Sequence, residues 1–480
     1  MNYTYRQLIG GSWCDASNAG TWCVLNPATE EVIREVPFGN GEDCHVALDA
    51  AAAAFPAWAH KTAYERAAHL KRAADIMRER NAELAHTTVL ESGKPLAQAK
   101  GEWTVAADLF EWFAEEGKRA YGRFVPSRNP SKRQLVIKQP LGVVGLITAW
   151  NFPAYNLARA GAAALAAGCT VVFRPSEYTP LTAMEMVNIL LDAGLGDGVV
   201  NLVNGEPESM GREMLGHPAC AKIHFTGSQH VGKLLMDGAS QTLTRLSLEL
   251  GGNAPVLIFP DADVERVAAG AVSAKFRNGG QVCVSPQRFF VHQAIAAKFI
   301  ERATSAVARL RLGSGLEPES DVGPLINARQ RDRVGELVDR ARSAGARIVI
   351  GGQRPPDRPR GYFFQPTVVT EFAQGTPLFQ SEIFGPVLPI TAFEDVEQAI
   401  AQANSTRYGL SAYVWTNDLR TAMKTAEQLE FGMVGVNEWI PQSTEVPFSG
   451  WKESGMGREA GSEGLEEYLE TKLISMGGFA

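Results

Sequence analysis

The spacing of apolar positions changes twice along this chain, and the changes predict its organisation. From residue 43 to 118 the composition is rich in Ala, Glu, Arg and Leu, with apolar residues at helical intervals such as Ala67, Leu70, Ala74 and Met77. Long helices are expected there. Ser92-Gly93-Lys94-Pro95 breaks that run. Between 121 and 140, Val125-Pro126 and Leu135-Val136-Ile137 flank a polar, proline-containing centre and read as two strands joined by a loop.

From 141 onward, short β-branched runs alternate with Ala-rich or amphipathic ones. Gly142-Val143-Val144-Gly145-Leu146-Ile147, Thr170-Val171-Val172-Phe173, Val199-Val200-Asn201-Leu202-Val203 and Lys222-Ile223-His224-Phe225 are four expected buried strands. The stretches 156–167, 182–193 and 208–215 are the helices between them, which predicts an α/β fold with a parallel sheet flanked by helices. The grammar restarts at Pro255-Val256-Leu257-Ile258-Phe259, with a helix near 264–276. Further strands are expected at 289–292, 347–350, 387–390, 412–415 and 432–437, and an apolar strand in the tail. Gly251-Gly252 marks a boundary between two α/β domains.

The bulk numbers exclude several classes. A chain of 480 residues has room for two or three domains, and 45% hydrophobic with 21% charged residues is ordinary for a globular protein. A net charge of −7 gives no reason to expect nucleic acid or an anionic membrane as partner. The longest apolar stretches, Leu141 to Trp150 and Gly161 to Phe173, fall short of the ~20 residues that span a bilayer. Six irregularly placed cysteines do not form a disulfide framework and fit a reducing compartment. No Cys-x-x-Cys or His-Glu-x-x-His pattern occurs, so no metal site is expected. Nor does the N-terminus have the form of a signal peptide. A soluble, cytoplasmic protein is the expectation.

Candidate chemistry centres on Cys283, in Gly279-Gly280-Gln281-Val282-Cys283. Most free cysteines are small buried hydrophobes. Here the paired glycines permit close backbone approach, and the Cys283 N–H is placed to donate to an oxyanion. Glu249 sits among Leu246, Leu248 and Leu250, where burial raises a carboxyl pKa into the range useful for a base. Its bland alternative is a strand-end Glu turned to solvent. Asn151, before Phe152-Pro153, supplies a side-chain amide or is simply a turn-former. Phe225-Thr226-Gly227-Ser228 passes from a strand into a helix, where backbone N–H groups can hold a pyrophosphate, although no Gly-x-Gly-x-x-Gly occurs there. Arg174-Pro175-Ser176-Glu177 follows another strand; Glu177 can accept ribose hydroxyls, or the pair is merely a solvated loop.

In chain order, Trp150-Asn151-Phe152-Pro153, Phe225-Thr226-Gly227-Ser228, Leu248-Glu249-Leu250-Gly251-Gly252, Gly280-Gln281-Val282-Cys283, Glu382-Ile383-Phe384-Gly385-Pro386 and Pro447-Phe448-Ser449-Gly450 resemble the aldehyde dehydrogenase superfamily over essentially the whole chain. The resemblance implies a Rossmann-like cofactor fold binding NAD, with NADP possible. Cys283 would attack the aldehyde, the Asn151 amide would hold the oxyanion, and Glu249 would activate water to hydrolyse the thioester. It also implies a cofactor site from Trp150, Arg174, Pro175, Ser176, Glu177, Gly227, Ser228, Leu250, Glu382 and Phe384. Within the superfamily the chain is most similar to succinate-semialdehyde and 2-oxoglutarate-semialdehyde dehydrogenases. Arg159, Arg277 and Ser443 match positions that grip a substrate carboxylate there. Arg458 is given a structural role.

Two departures stand out. Arg174 replaces the usual lysine, and because Glu177 would repel a 2′-phosphate, NAD is expected over NADP. Ser285 stands where several relatives carry a second cysteine, which excludes a local disulfide switch. The expected organisation is a cofactor domain (1–120 and 141–250), a catalytic domain (251–440) and an oligomerisation element (121–140 and 465–480), giving a homodimer or homotetramer. Rival readings are a dehydrogenase for neutral or aromatic aldehydes and a binding protein that kept the fold. Reductive acylation with coenzyme A is disfavoured, since it has no use for a water-activating Glu249.

Overall fold

Two twisted sheets, each with helices against it, carry the chain in this computed structural model, which describes residues 4–372 and 375–479. The first sheet has the order Ser12–Cys14, Gln7–Ile9, Val200–Leu202, Thr170–Arg174, Val143–Ile147, Cys220–Thr226, Arg245–Glu249, Gly455–Met456. Its five central strands are parallel; four are the expected buried runs, and the fifth, Arg245–Glu249, has no β-branched residue to mark it. Both edges are antiparallel, which corrects the expectation of a purely parallel sheet. The edge strands are two or three residues long, too short for an alternating pattern to register in sequence.

Strand order reverses beside Val143–Ile147. Thr170–Arg174 and Val200–Leu202 lie to one side, Cys220–Thr226 and Arg245–Glu249 to the other. In such sheets the crevice beyond the carboxyl ends of the strands, at the reversal, is where ligands bind. The loops that leave Ile147 and Thr226 therefore face each other across it.

The second sheet runs Arg347–Ile350, Thr367–Thr370, Val387–Phe393, Pro286–His292, Ala254–Ile258, Ser411–Trp415, Met433–Val436, parallel except at its Arg347–Ile350 edge. Gly251 and Gly252 lie in the crossing from one sheet to the other. The run 43–118 forms the helices Gly41–His60, Ala63–Glu79, Asn81–Ser92 and Leu96–Glu116, and the break at Ser92-Gly93-Lys94-Pro95 is where one ends and the next begins. A third sheet pairs Leu469–Met476 with Arg133–Pro140, and that strand with Arg123–Val125. Among the described residues no helix is long and apolar enough to cross a membrane.

Candidate active site

Asn151 sits in the loop after Val143–Ile147, immediately before the helix Pro153–Ala167, which opens with proline at its first turn. Buried Lys94 donates to the Asn151 backbone carbonyl at 2.8 Å, and Asn278 Nδ2 donates to the same oxygen at 2.9 Å. Lys94 is ion-paired with buried Glu102, whose Oε1 accepts from Ala154 N at 2.8 Å and Tyr155 N at 3.3 Å. That carboxylate caps a helix start that has no side-chain cap of its own. The Asn151 Nδ2 donates to Gln281 O at 3.2 Å, so the amide is drawn to the loop that carries the thiol. Sequence reading missed the Lys94–Glu102 support; its one visible trace was a lysine inside the Gly93–Pro95 helix break.

Two glycines bring the remaining groups together. A β-carbon at Gly252 would stand 2.4 Å from the Cys283 carbonyl oxygen, and one at Gly251 would stand 2.3 Å from Glu382 Oε2. The crossing between sheets thus lies against both the nucleophile loop and the Glu382 carboxylate, which accepts from Gly252 N at 2.9 Å. Gly280 adopts φ +75° where a β-carbon would also strike Gly385 O, so both conformation and contact require glycine. Gln287 binds both sides of the joint: its Nε2 donates to Gly252 O at 2.8 Å and its Oε1 accepts from Ile383 N at 2.6 Å.

Glu249 ends the strand Arg245–Glu249 but is only 3% exposed, so the solvent-facing reading is wrong. Neither of its oxygens has a hydrogen-bond partner among the described residues. Burial, and after it the charge of Glu459, hold this carboxyl well above the usual range, against the pull of Arg159 and Arg458. Burial likewise pushes the Cys283 thiol up to about 12; Arg159 opposes the rise, while Glu382, Glu249 and Glu459 add to it. A carboxyl and a thiol, each holding its proton more tightly than usual, share one crevice. Among the six cysteines only Cys283 lines it.

Two cavities meet at Cys283, Asn156 and Arg159. The smaller, of about 260 Å³, is walled by Trp150, Asn151, Gly227, Ser228, Glu249, Leu250, Glu382 and Phe384. Ser228 caps the helix Gln229–Ala239, accepting from Val231 N at 3.4 Å, so the start of that helix adjoins the crevice. Phe384 is held at φ +49°, a left-handed conformation unusual for a bulky residue, with its ring edge-on to Trp150 at 5.4 Å. Burial brings Glu382 up to about 7, with Gly252 N, Arg333 and Lys275 drawing it back. Apolar rings, a helix N-terminus and a buried carboxylate at the sheet reversal fit a dinucleotide.

Arg174, Pro175, Ser176 and Glu177 stand apart from this cavity's wall, at the end of the neighbouring strand. Arg174 turns inward: Nη2 donates to Gly205 O at 2.6 Å and meets Glu177 Oε2 at 3.2 Å. The solvated loop pair is therefore corrected for Arg174, which is 4% exposed.

The larger cavity, about 480 Å³, brings Arg159, Arg277 and Ser443 to the other side of the thiol, with Phe152, Tyr155 and Phe448 as aromatic walls. Arg159 is 1% exposed, which excludes a helix-surface role. Its Nε meets Glu459 Oε2 at 2.6 Å, and its guanidinium lies over Phe448 at 4.0 Å. Glu459 in turn meets His224 Nε2 at 2.7 Å. Nothing local marks this pairing, because its members are separated by hundreds of residues. Arg277 lies over Phe152 at 5.6 Å and has no carboxylate at ion-pair distance among the described residues. The Ser443 hydroxyl engages Glu445, which it helps hold below the usual carboxylate range.

A thiol, a side-chain amide and a buried carboxylate thus line one crevice, and the cavity that adjoins it at the thiol carries two arginines. A profile of the aldehyde dehydrogenase family matches residues 13–474, and the chain belongs to that family. Glutarate-semialdehyde dehydrogenase of Pseudomonas aeruginosa is 42% identical over 476 residues, 99% of this chain and 98% of the relative. The NADP(+) succinate-semialdehyde dehydrogenase GabD of Escherichia coli is 42% identical over 475 residues, with 99% and 98% covered. The crystal structure of succinate-semialdehyde dehydrogenase from Burkholderia pseudomallei matches with a TM-score of 0.97 at 41% identity, covering 99% of this chain and 98% of that one.

Proposed function

We propose that the chain oxidises a short semialdehyde with a carboxylate at its far end, succinate semialdehyde or 2-oxoglutarate semialdehyde, to the dicarboxylic acid. The observation that carries this reading is that Cys283 shares a cavity with Arg277, a guanidinium with no carboxylate at ion-pair distance among the described residues. The similarity to succinate- and glutarate-semialdehyde dehydrogenases supports it.

The Cys283 thiol releases its proton to water and its sulfur adds to the carbonyl carbon. The Asn151 Nδ2 and the Cys283 N–H stabilise the resulting oxyanion. NAD(P)+, when bound, would supply the acceptor for the hydride that leaves the former carbonyl carbon, and Cys283 would then hold the acyl group as a thioester. Glu249 then takes a proton from water as the water oxygen adds to the thioester, and the C–S bond breaks to release the acid. Trp150, Gly227, Ser228, Leu250, Glu382 and Phe384 hold the dinucleotide in this reading. Arg174 to Glu177 shape its adenosine end. Glu177, partnered by Arg174, favours NAD, and kcat/KM for NAD should exceed that for NADP; the reverse order would refute this assignment.

Arg277 is the cleaner test of the acid-binding cavity. Removing Arg159 would strand the buried Glu459 charge beside Glu249 and confound binding with stability. Arg277→Met should raise KM for succinate semialdehyde about 10- to 100-fold, the worth of a charge-assisted hydrogen bond, while sparing benzaldehyde. Equal effects on both substrates, or a wild-type preference for benzaldehyde, would favour the aromatic-aldehyde reading that the Phe152, Tyr155 and Phe448 walls admit.

In the same reading residues 1–120 and 141–250 bind the cofactor, and 251–440 carry the thiol. The strands of 121–140 and the tail form an oligomerisation element, whose exposed outer strand is suited to pairing in a dimer or tetramer.

A further inference from the structure

We propose that Asn156 contacts the substrate, and that the preferred aldehyde carries a hydroxyl on the carbon next to the carbonyl. The proposal deepens the semialdehyde reading and rests on it only for the acid at the far end.

Asn156 lies in the first turn of the helix Pro153–Ala167, is 4% exposed, and borders both cavities where they meet at Cys283. Its Nδ2 faces two oxygens, Asn151 Oδ1 at 3.3 Å and Ala149 O at 3.5 Å. Ala149 O is a backbone acceptor. Asn151 Oδ1 is fixed as an acceptor because the other end of that amide donates to Gln281 O. Turning the Asn156 amide over would set oxygen against oxygen twice, so its orientation is determined. Its Oδ1 is therefore turned away from both, and it accepts no hydrogen bond among the described residues. With no partner and without being fully enclosed by protein, it borders open space.

An acceptor at this place has a specific complement. The Asn151 amide that Asn156 holds is the one placed to receive the carbonyl oxygen, so the substrate atom beside the carbonyl passes Asn156. A hydroxyl there can donate to Oδ1. An ammonium would set a second cation near Arg159, and a bare methylene would bury the amide oxygen without a partner. Arg159 and Arg277 have no acceptor to offer and cannot replace this contact.

The test compares succinate semialdehyde with its analogue hydroxylated on the carbon next to the aldehyde, and lactaldehyde with propanal. Both pairs are run on the wild-type enzyme and on Asn156→Leu, which keeps the size and removes the acceptor. In the wild-type enzyme kcat/KM should favour the hydroxylated member about tenfold or more, because a site built to bind a hydroxyl discriminates against its absence. In N156L the ratio should fall to one or below. Hydration of each aldehyde is common to both enzymes and cancels in the change of ratio. If Asn156 only positions Asn151, both members lose rate together and the ratio stays put, which overturns the proposal. A wild-type ratio at or below one does the same, even if N156L does not fold. Loss of the acid preference with the lactaldehyde ratio intact would refute the far-end carboxylate alone.

Discussion

With alanine in place of Cys283, aldehyde oxidation is expected to fall by at least about four orders of magnitude while dinucleotide affinity is retained. The cavity walls offer no second thiol, and the groups that shape the dinucleotide crevice belong to other elements. Dinucleotide binding can be followed through Trp150, which lines that crevice. The wild-type thiol has its own signature. A thiol pushed up to about 12 by burial is protonated near neutrality and gains thiolate as pH rises. Alkylation of Cys283 in the enzyme without ligands should therefore be slow at neutral pH and climb with pH, with the exposed Cys23 as internal comparison. Residual turnover above about one part in a thousand in C283A would sink the covalent mechanism.

Glu249→Gln should separate the two halves of the reaction. Its amide has nearly the same size but cannot accept the water proton, so the thioester forms and then persists. The expected record is a burst of about one NADH per active site, followed by a steady rate reduced about 10²- to 10³-fold. Intact-protein mass should show the acyl group on Cys283. The sign of the pH effect follows from the environment. Burial and the Glu459 charge raise this carboxyl, so it holds its proton at low pH and becomes a base only as pH climbs through the raised value. Deacylation in the wild-type enzyme should accelerate with pH across that limb, and the limb should vanish in E249Q. A variant that loses the burst as well as the steady rate would place Glu249 in thiol activation instead.

What the sequence disclosed depended on how local the cause was. Strands buried on both faces, such as Val143–Ile147 and Thr170–Arg174, appear as uninterrupted apolar runs, and the helix break at Gly93 and Pro95 is local chemistry. Glu249 stood out because it interrupts an apolar run, and Cys283 because paired glycines precede it, whereas Asn151 gained its role only from the ordered motifs that resemble the family. The strands Gln7–Ile9 and Gly455–Met456 are short edges defined by their partners, so nothing in their own residues marks them. The supporting charges were hidden for the same reason. Lys94 and Glu102 gain meaning from Asn151, and Glu459 from Arg159 and His224, contacts that only the folded chain creates. Arg174 was legible as a departure, but its inward turn to Gly205 was not.

The contact of Gly251 and Gly252 with Glu382 and the Cys283 carbonyl bears on how finely this site is built. Main chain rests directly on the nucleophile loop, with no rotatable side chain between them to absorb an error. The sulfur is thus registered against the floor of the crevice with the stiffness of peptide units. Any mutation that shifts one sheet relative to the other should appear first as misalignment at the reacting atom, well before the protein loses its fold.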